Sequence, residues 1–314
     1  MSVLMRFSTF HKNILLTHTQ LDKGEGRRKS VVKALNLHYR GSFSETDNSL
    51  FIGSRAKHTS IRPTRDEEQN SASWLSLAKH TRTRLTRDVD VLYVMPFEVY
   101  ARVQSRTGNK QSQLMQEVRG VLQTTFQSAD IKGEGPVIKV PFTTFNVELI
   151  PAFKLDSGSY WVCFTSDGGF YMTADYDAEL DEIKISNDAT GGKTCALIRM
   201  MKKWQEHCHV PMESFWIELL VIEFLQTWEY RDKGWMYYDW MVRDFFSYLK
   251  EKNITACLLQ EHMSKYIWGT VGIPKPIQPI LGHPQHAISK PHNKRLQETN
   301  GRKSLEQTYR RRHN

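Results

Sequence analysis

"TRDVDVLYVMP", residues 86–96, decides how this chain is read. Its Val, Leu and Tyr density, stopped by Pro96, predicts a buried strand. Asp88 and Asp90 are two apart, so both carboxylates leave one face, while Val89 and Val91 leave the other toward a core. Two like charges side by side on a strand are costly unless something positive stands between them. A hard divalent cation with oxygen ligands is the natural compensation. Taken alone, the pair reads equally well as solvated acids at an exposed strand end.

Two neighbouring stretches extend that reading. In "FNVELIPAF" (145–153), Phe145, Val147 and Leu149 alternate with Asn146, Glu148 and Ile150. Glu148 therefore sits on the polar side of an apolar strand, facing Asp88 and Asp90 if the strands are neighbours. On its own it is a rim acid. Three carboxylates can bridge two cations, which activate an attacking hydroxyl and neutralise a leaving pyrophosphate. Upstream, "SLFIGS" (49–54) is a short apolar strand ending in Gly53-Ser54. A glycine there lets backbone N–H groups approach a phosphate closely, and the serine hydroxyl adds a donor.

The chain then repeats itself. Ser54, Ala56–Thr59 and Thr64–Asp66 recur as Ser76, Ala78–Thr81 and Thr86–Asp88, each offset by 22. The first copy has Gly53, but its Asp66 leads into "EEQNSASW", which is no strand. The second has Asp88 and Asp90 entering a strand, but Leu75 stands where the glycine should be. We expect a hybrid of first-copy glycine-serine and second-copy aspartates, with the residues between them looped out. Closing so long a loop costs little extra entropy, although it emerges where it can impede substrate. Asp66, Glu67 and Glu68 are the fallback carboxylates.

Bulk properties bound the function. At 314 residues the chain can bury a sizeable core. Six of its nine net positive charges come from residues 285–314, which hold eight Lys or Arg against Glu298 and Glu306. That basic tail can hold nucleic acid non-specifically or be merely solvated, and the remainder advertises no duplex-binding face. The four cysteines form no CxxC pair, which suits a reducing compartment. "HCH" (207–209) lacks a second ligand pair, so structural or surface roles are expected. The start lacks a clean apolar core, and "FWIELLVIEFL" (215–225) is too short and carries Glu218 and Glu223. No signal peptide, no membrane span and a cytoplasmic protein are the expectations.

Organisation follows from periodicity. Residues 1–41 and 110–127 read as helix, and "PVIKVPF", "FNVELIPAF", "SGSYWVCF" and "GGFYMTA" as strands. After residue 190 come long apolar-periodic helices, and from about 270 a Pro- and His-rich stretch reads as extended or disordered. The fold class is α/β (α+β). The expected boundaries are a catalytic lobe over 1–190 with the repeat at about 54–88, a helical lobe over 191–268, and a tail over 269–314.

As an ordered set, G-S, the basic-threonine stretch, D-x-D-V-L and the third acid before "PAF" resemble the polymerase-β-type nucleotidyltransferases. With "AKHTSIRP", "YWVCFTSDGGFYMT" and "LIRMMKKW…MESFWIELLVIEFL", residues 5–250 are most similar to the cGAS/DncV-like nucleotidyltransferases of bacterial antiphage systems. In that family the glycine-serine and first aspartate stand closer together. Here Ser54 and Asp88 are 34 apart, and removing one 22-residue unit leaves 12, the usual spacing.

The resemblance implies a mixed sheet with helices packed against a helical lobe, the active site lying in the cleft between them. It implies that Gly53 and Ser54 hold a triphosphate and that Asp88, Asp90 and Glu148 bind two Mg2+ ions, Mn2+ being able to substitute. By the same likeness Lys202 and Ser214 reach the triphosphate and Phe215 stacks on a base. From the residues alone, Lys202 beside Lys203 could be a solvated face, and Ser214 a helix cap. The implied reaction joins nucleoside triphosphates such as ATP or GTP into a cyclic di- or oligonucleotide second messenger in antiphage defence, read by an effector protein. The alternatives are a linear oligonucleotide synthase, a transferase acting on RNA or protein, and an impaired scaffold that binds nucleotide or RNA. The chain also departs from the family after residue 252, where relatives carry further amphipathic helix.

Overall fold

The computed structural model describes residues 3–62, 88–143 and 145–252. Its centre is the alternation read from the sequence. Strand β2 (Asp88–Val94) runs parallel to β5 (Asn146–Lys154), with Asp88 opposite Asn146, Asp90 opposite Glu148 and Leu92 opposite Ile150. Antiparallel β1 (Ser49–Phe51) flanks β2. On the other edge of β5, β4 (Val137–Pro141) pairs with the first half and β6 (Tyr160–Phe164) with the last residues. β3 (Lys132–Glu134) and β7 (Phe170–Ala174) complete the sheet beyond β4 and β6.

The two faces of this sheet differ. Val89, Val91, Tyr93, Val147, Leu149 and Phe153 bury into one large apolar cluster. That cluster also takes side chains from α2 (His18–Arg40), α4 (Phe97–Gln104) and α5 (Lys110–Thr125). Each such buried side chain contributes about 1.5–3 kcal/mol. On the opposite face Leu92, Ile150 and Ala152 join Ile52, Val162 and Tyr176 in a smaller core. The same face becomes polar toward the start of both strands, where Asp88, Asp90 and Glu148 lie half-buried. A strand with period two thus carries one continuous core face and one face that changes from apolar to acidic along its length.

The helices after the sheet form a second cluster. α6 (Tyr176–Ala189), α7 (Lys193–Cys208), α8 (Ser214–Thr227) and α9 (Tyr238–Glu251) contribute Ile183, Leu197, Met201, Leu220 and Phe245, and α1 (Val3–Ile14) adds Ile14. The expected boundary at 190 is not where the packing divides. One compact unit comprises described residues 18–53 and 88–176, and the other comprises 3–17, 54–62 and 177–252. The reason is apolar pairing: Ile14 and Ile183 are buried with the later helices, whereas Tyr176 is buried with the sheet. The chain passes between units at Gly53 and Ser54, inside the four-residue helix α3 (Gly53–Ala56). The second half of the repeat up to residue 87, the end of the expected helical lobe and the tail lie outside the described residues. Among the described residues no helix is long and apolar enough to cross a membrane.

Candidate active site

Within the sheet unit, four of the residues singled out in the sequence come together. The antiparallel run of β1 against β2 carries the chain past Asp90, whose carbonyl accepts from the Ile52 N–H at 3.1 Å. Gly53 follows with φ +59°, and a Cβ at that position would lie 2.2 Å from Asp90 Oδ2. Only glycine fits both the left-handed backbone and the approach of the carboxylate. The parallel register sets Asp90 beside Glu148, and Asp88 accepts from Asn146 Nδ2 at 2.8 Å.

The positive charge that such a face requires comes from Lys139. It is the antiparallel partner of Glu148, so both side chains leave the same face. Its Nζ donates to Glu148 Oε1 at 2.6 Å and to Asp88 Oδ2 at 3.1 Å. Burial raises the Glu148 carboxyl above the ordinary carboxylate range, and the neighbouring Asp88 charge adds to it, with Lys139 partly opposing both. Burial works against the Lys139 ammonium, but its bonds to Glu148 and the Asp88 charge outweigh that and raise it.

Whether these groups suit the implied Mg2+ can be tested on this geometry. Three carboxylates on one face are hard oxygen donors of the right kind. A cation of the chain itself already stands between two of them, so the local field is one that holds positive charge. Among the described residues, however, no three His, Cys, Asp or Glu side chains are gathered tightly enough to hold one ion as they stand. The donor set fits in chemistry and charge, and its side chains must regroup to close on a metal.

The remaining candidates belong to the helical unit. Ser54 Oγ lies 3.0 Å from Ser60 Oγ, and the Thr59 N–H donates to the Ser54 carbonyl at 2.9 Å. Lys202 is buried rather than a solvated face: its Nζ donates to Glu218 Oε1 at 2.7 Å and to Thr59 Oγ1 at 3.0 Å. Lys57 donates to Glu218 Oε2 at 3.0 Å and pairs with Glu179 at 2.8 Å. Burial alone would raise the Glu218 carboxyl, but Lys202 and Lys57 outweigh it and hold it below the ordinary range. Ser214 is exposed and is the first residue of α8; Glu213 occupies the cap position, which removes the capping role weighed for the serine. Phe215 is half-buried with Lys57 Nζ 5.8 Å from its ring centroid.

These placements bear on the repeat. Lys57 and Thr59, from the first copy, are buried against Glu218, while Asp88, which closes the second copy, and Asp90 just after it lead the central strand. Asp66, Glu67 and Glu68, with the second-copy Leu75 and Ser76, lie outside the described residues. Lys139 and Glu218 were missed in the sequence, although both left a signal. Lys139 alternates with Ile138 and Val140 beside the Glu148 strand, and Glu218 is a charge inside an apolar run, where a buried acid needs a partner.

A family model described as the Second Messenger Oligonucleotide or Dinucleotide Synthetase domain matches residues 1–74 and 69–187, more than half of the chain. The chain belongs to this family. The two matched stretches overlap at 69–74, inside the repeat, so the family pattern is broken where the sequence duplicates itself. This synthetase is a nucleotidyltransferase of the polymerase-β-like kind, with the mixed sheet and helices expected.

Solved structures share the fold. The CdnC of E. coli MS115-1 with ATP aligns at a TM-score of 0.51 and 17% identity, over 96% of this chain and 86% of that one. The STING-associated CdnE c-di-GMP synthase from Capnocytophaga granulosa aligns at 0.52 and 13% identity, over 98% and 86%. No curated protein matches the synthetase in sequence.

Proposed function

We propose that this synthetase joins nucleoside triphosphates, ATP or GTP among them, and closes the product into a cyclic di- or oligonucleotide. A ribose hydroxyl attacks an α-phosphorus, a new P–O bond forms, and the bond to the departing pyrophosphate breaks. The observation that carries the reading is the meeting of Asp88, Asp90 and Glu148 on one sheet face with Gly53 against Asp90.

In this reading Asp88, Asp90 and Glu148 hold two Mg2+ or Mn2+ ions. When bound, such ions neutralise the triphosphate and sharpen the attacking hydroxyl. Gly53 keeps the backbone near enough for phosphate oxygens to meet N–H donors, and Ser54 adds a hydroxyl. Lys202 and Ser214 bind the triphosphate and Phe215 stacks on a base. The protein's contribution is positioning and electrostatics rather than covalent chemistry. The product acts as a messenger in cytoplasmic antiphage defence, read by an effector protein, with the basic tail an optional nucleic-acid contact.

The experiment is incubation with labelled ATP, GTP, CTP and UTP plus Mg2+ or Mn2+, beside a variant lacking residues 66–87. That deletion removes one 22-residue unit and joins Arg65 to Asp88. Phosphatase-resistant product supports cyclisation. Phosphatase-sensitive ladders make it a linear synthase, and no product from either chain leaves a nucleotide-binding scaffold.

A further inference from the structure

We infer that Lys139 is a resident counter-cation that sets how tightly the strand-face carboxylates take a divalent metal ion. The inference rests on the reading of Asp88, Asp90 and Glu148 as metal ligands. Strand register fixes the position of Lys139: its Cα is the cross-strand partner of Glu148, so the side chain cannot leave this face without a register slip. Its ammonium engages one oxygen from each of two proposed ligands, Asp88 Oδ2 and Glu148 Oε1. The other Asp88 oxygen accepts from the neutral amide of Asn146. Oxygens held by the ammonium are withheld from a metal, and a dication arriving there meets a positive charge at close range.

The same lysine has somewhere to go. Its side chain is 40% exposed, against 18% for Glu148, so it can turn to water while the acids stay in place. An ammonium on a flexible four-carbon stem is suited to that exchange. Without metal, Lys139 keeps Asp88 and Glu148 from repelling one another. When it swings out, it releases two oxygens on the face that already carries Asp90.

The test is titration of Mn2+ alone into the full chain, with the free ion followed by electron paramagnetic resonance. Relative to wild type, Lys139→Met is expected to bind Mn2+ about tenfold more tightly, because a repelling unit charge is gone. Lys139→Arg, which keeps the charge, stays near wild type. The Lys139→Met/Glu148→Gln double variant loses the gain. In metal-free buffer Lys139→Met melts below wild type, and Mn2+ restores it. Equal or weaker Mn2+ binding by Lys139→Met overturns the inference, as does a gain that survives Glu148→Gln. The parent reading fails separately: if Asp88→Asn and Asp90→Asn leave Mn2+ binding intact, these acids are not the ligands. Binding that needs the acids but ignores Lys139 overturns only the role of the lysine.

Discussion

Two carboxylate–lysine clusters in this molecule use the same chemistry in opposite surroundings. On the sheet face, Lys139 is 40% exposed beside Asp88 at 29% and Glu148 at 18%. In the helical unit, Lys57, Lys202 and Glu218 keep only 6–7% of their side-chain surface. An ammonium partly in water gives up little when it leaves its carboxylate, because solvent takes over its charge. A fully buried ion that loses its partner keeps the desolvation penalty with nothing to offset it. The first cluster is therefore able to trade one cation for another. The second clamps residues 54–62 to α7 and α8 through Glu218, with Lys57 and Thr59 on one side and Lys202 on the other.

That contrast can be broken most severely on the exchangeable side. Asp88→Ala and Asp90→Ala are each expected to lower turnover of labelled nucleotide by on the order of 10³ or more, while Asp66→Ala leaves it unchanged. Equal loss at Asp66 would reverse the assignment of the two repeat copies.

On the clamped side, Glu218→Gln leaves Lys202 buried without an acid, while Lys57 retains Glu179. The expected cost is about 3–5 kcal/mol of stability in urea unfolding. Glu218→Met with Lys202→Met should recover more than half of it, since paired removal leaves no orphaned charge. A double variant as unstable as the single one would show that the cluster does not act as an ion pair.

Gly53→Ala comes next. Gly41 offers an internal control, because it has nearly the same φ, +62° against +59°, but nothing within 4 Å of an added Cβ. Gly41→Ala carries the left-handed strain alone, about 1–2 kcal/mol. Gly53→Ala carries that plus the clash with Asp90, so it should be the less stable of the two and should also slow turnover. Identical unfolding midpoints would remove the close approach from the argument.

The smallest effect is expected at Glu117, a half-buried acid paired with arginines instead of lysines. Its hydrogen bond with Arg102, 2.9 Å from Nη1, and its pairing with Arg106 lower its carboxyl from 4.5 to about 2, against the opposing effect of burial. A carboxylate depressed in the folded state stabilises fully above its unfolded value and loses that contribution as pH falls through the folded one. Glu117→Gln should therefore flatten the stability profile between about pH 4.5 and about pH 2. At neutral pH it should cost about 1 kcal/mol, because Arg102 is half exposed although Glu117 itself is only 21% exposed. An unchanged acid limb in the variant would show that Glu117 is not the group that titrates.

Much of this architecture was legible because it is periodic. The alternation in "DVDVLYV" put Asp88 and Asp90 on one face of their strand, that in "FNVELI" put Glu148 on the polar side of its own, and the strands are indeed neighbours. The paired strands after residue 157 were legible for the same reason. The unit boundary was not, because α1 and α6 join the later helices through Ile14 and Ile183, contacts that no local pattern announces. Nor was the burial of Lys202, since a lysine beside a lysine on a helix looks solvated until its acid is found 16 residues away on the next helix.

By itself the sequence determined most of the secondary elements, the glycine that the turn needs and the family to which the chain belongs, because these rest on local spacing and ordered motifs. Only the tertiary structure decided which charges meet. It set Lys139 between Asp88 and Glu148 and Glu218 between Lys57 and Lys202. The physical reason is that periodicity is a property of neighbouring residues, whereas the strength of an ion pair depends on distance and burial, which exist only once distant segments have packed together.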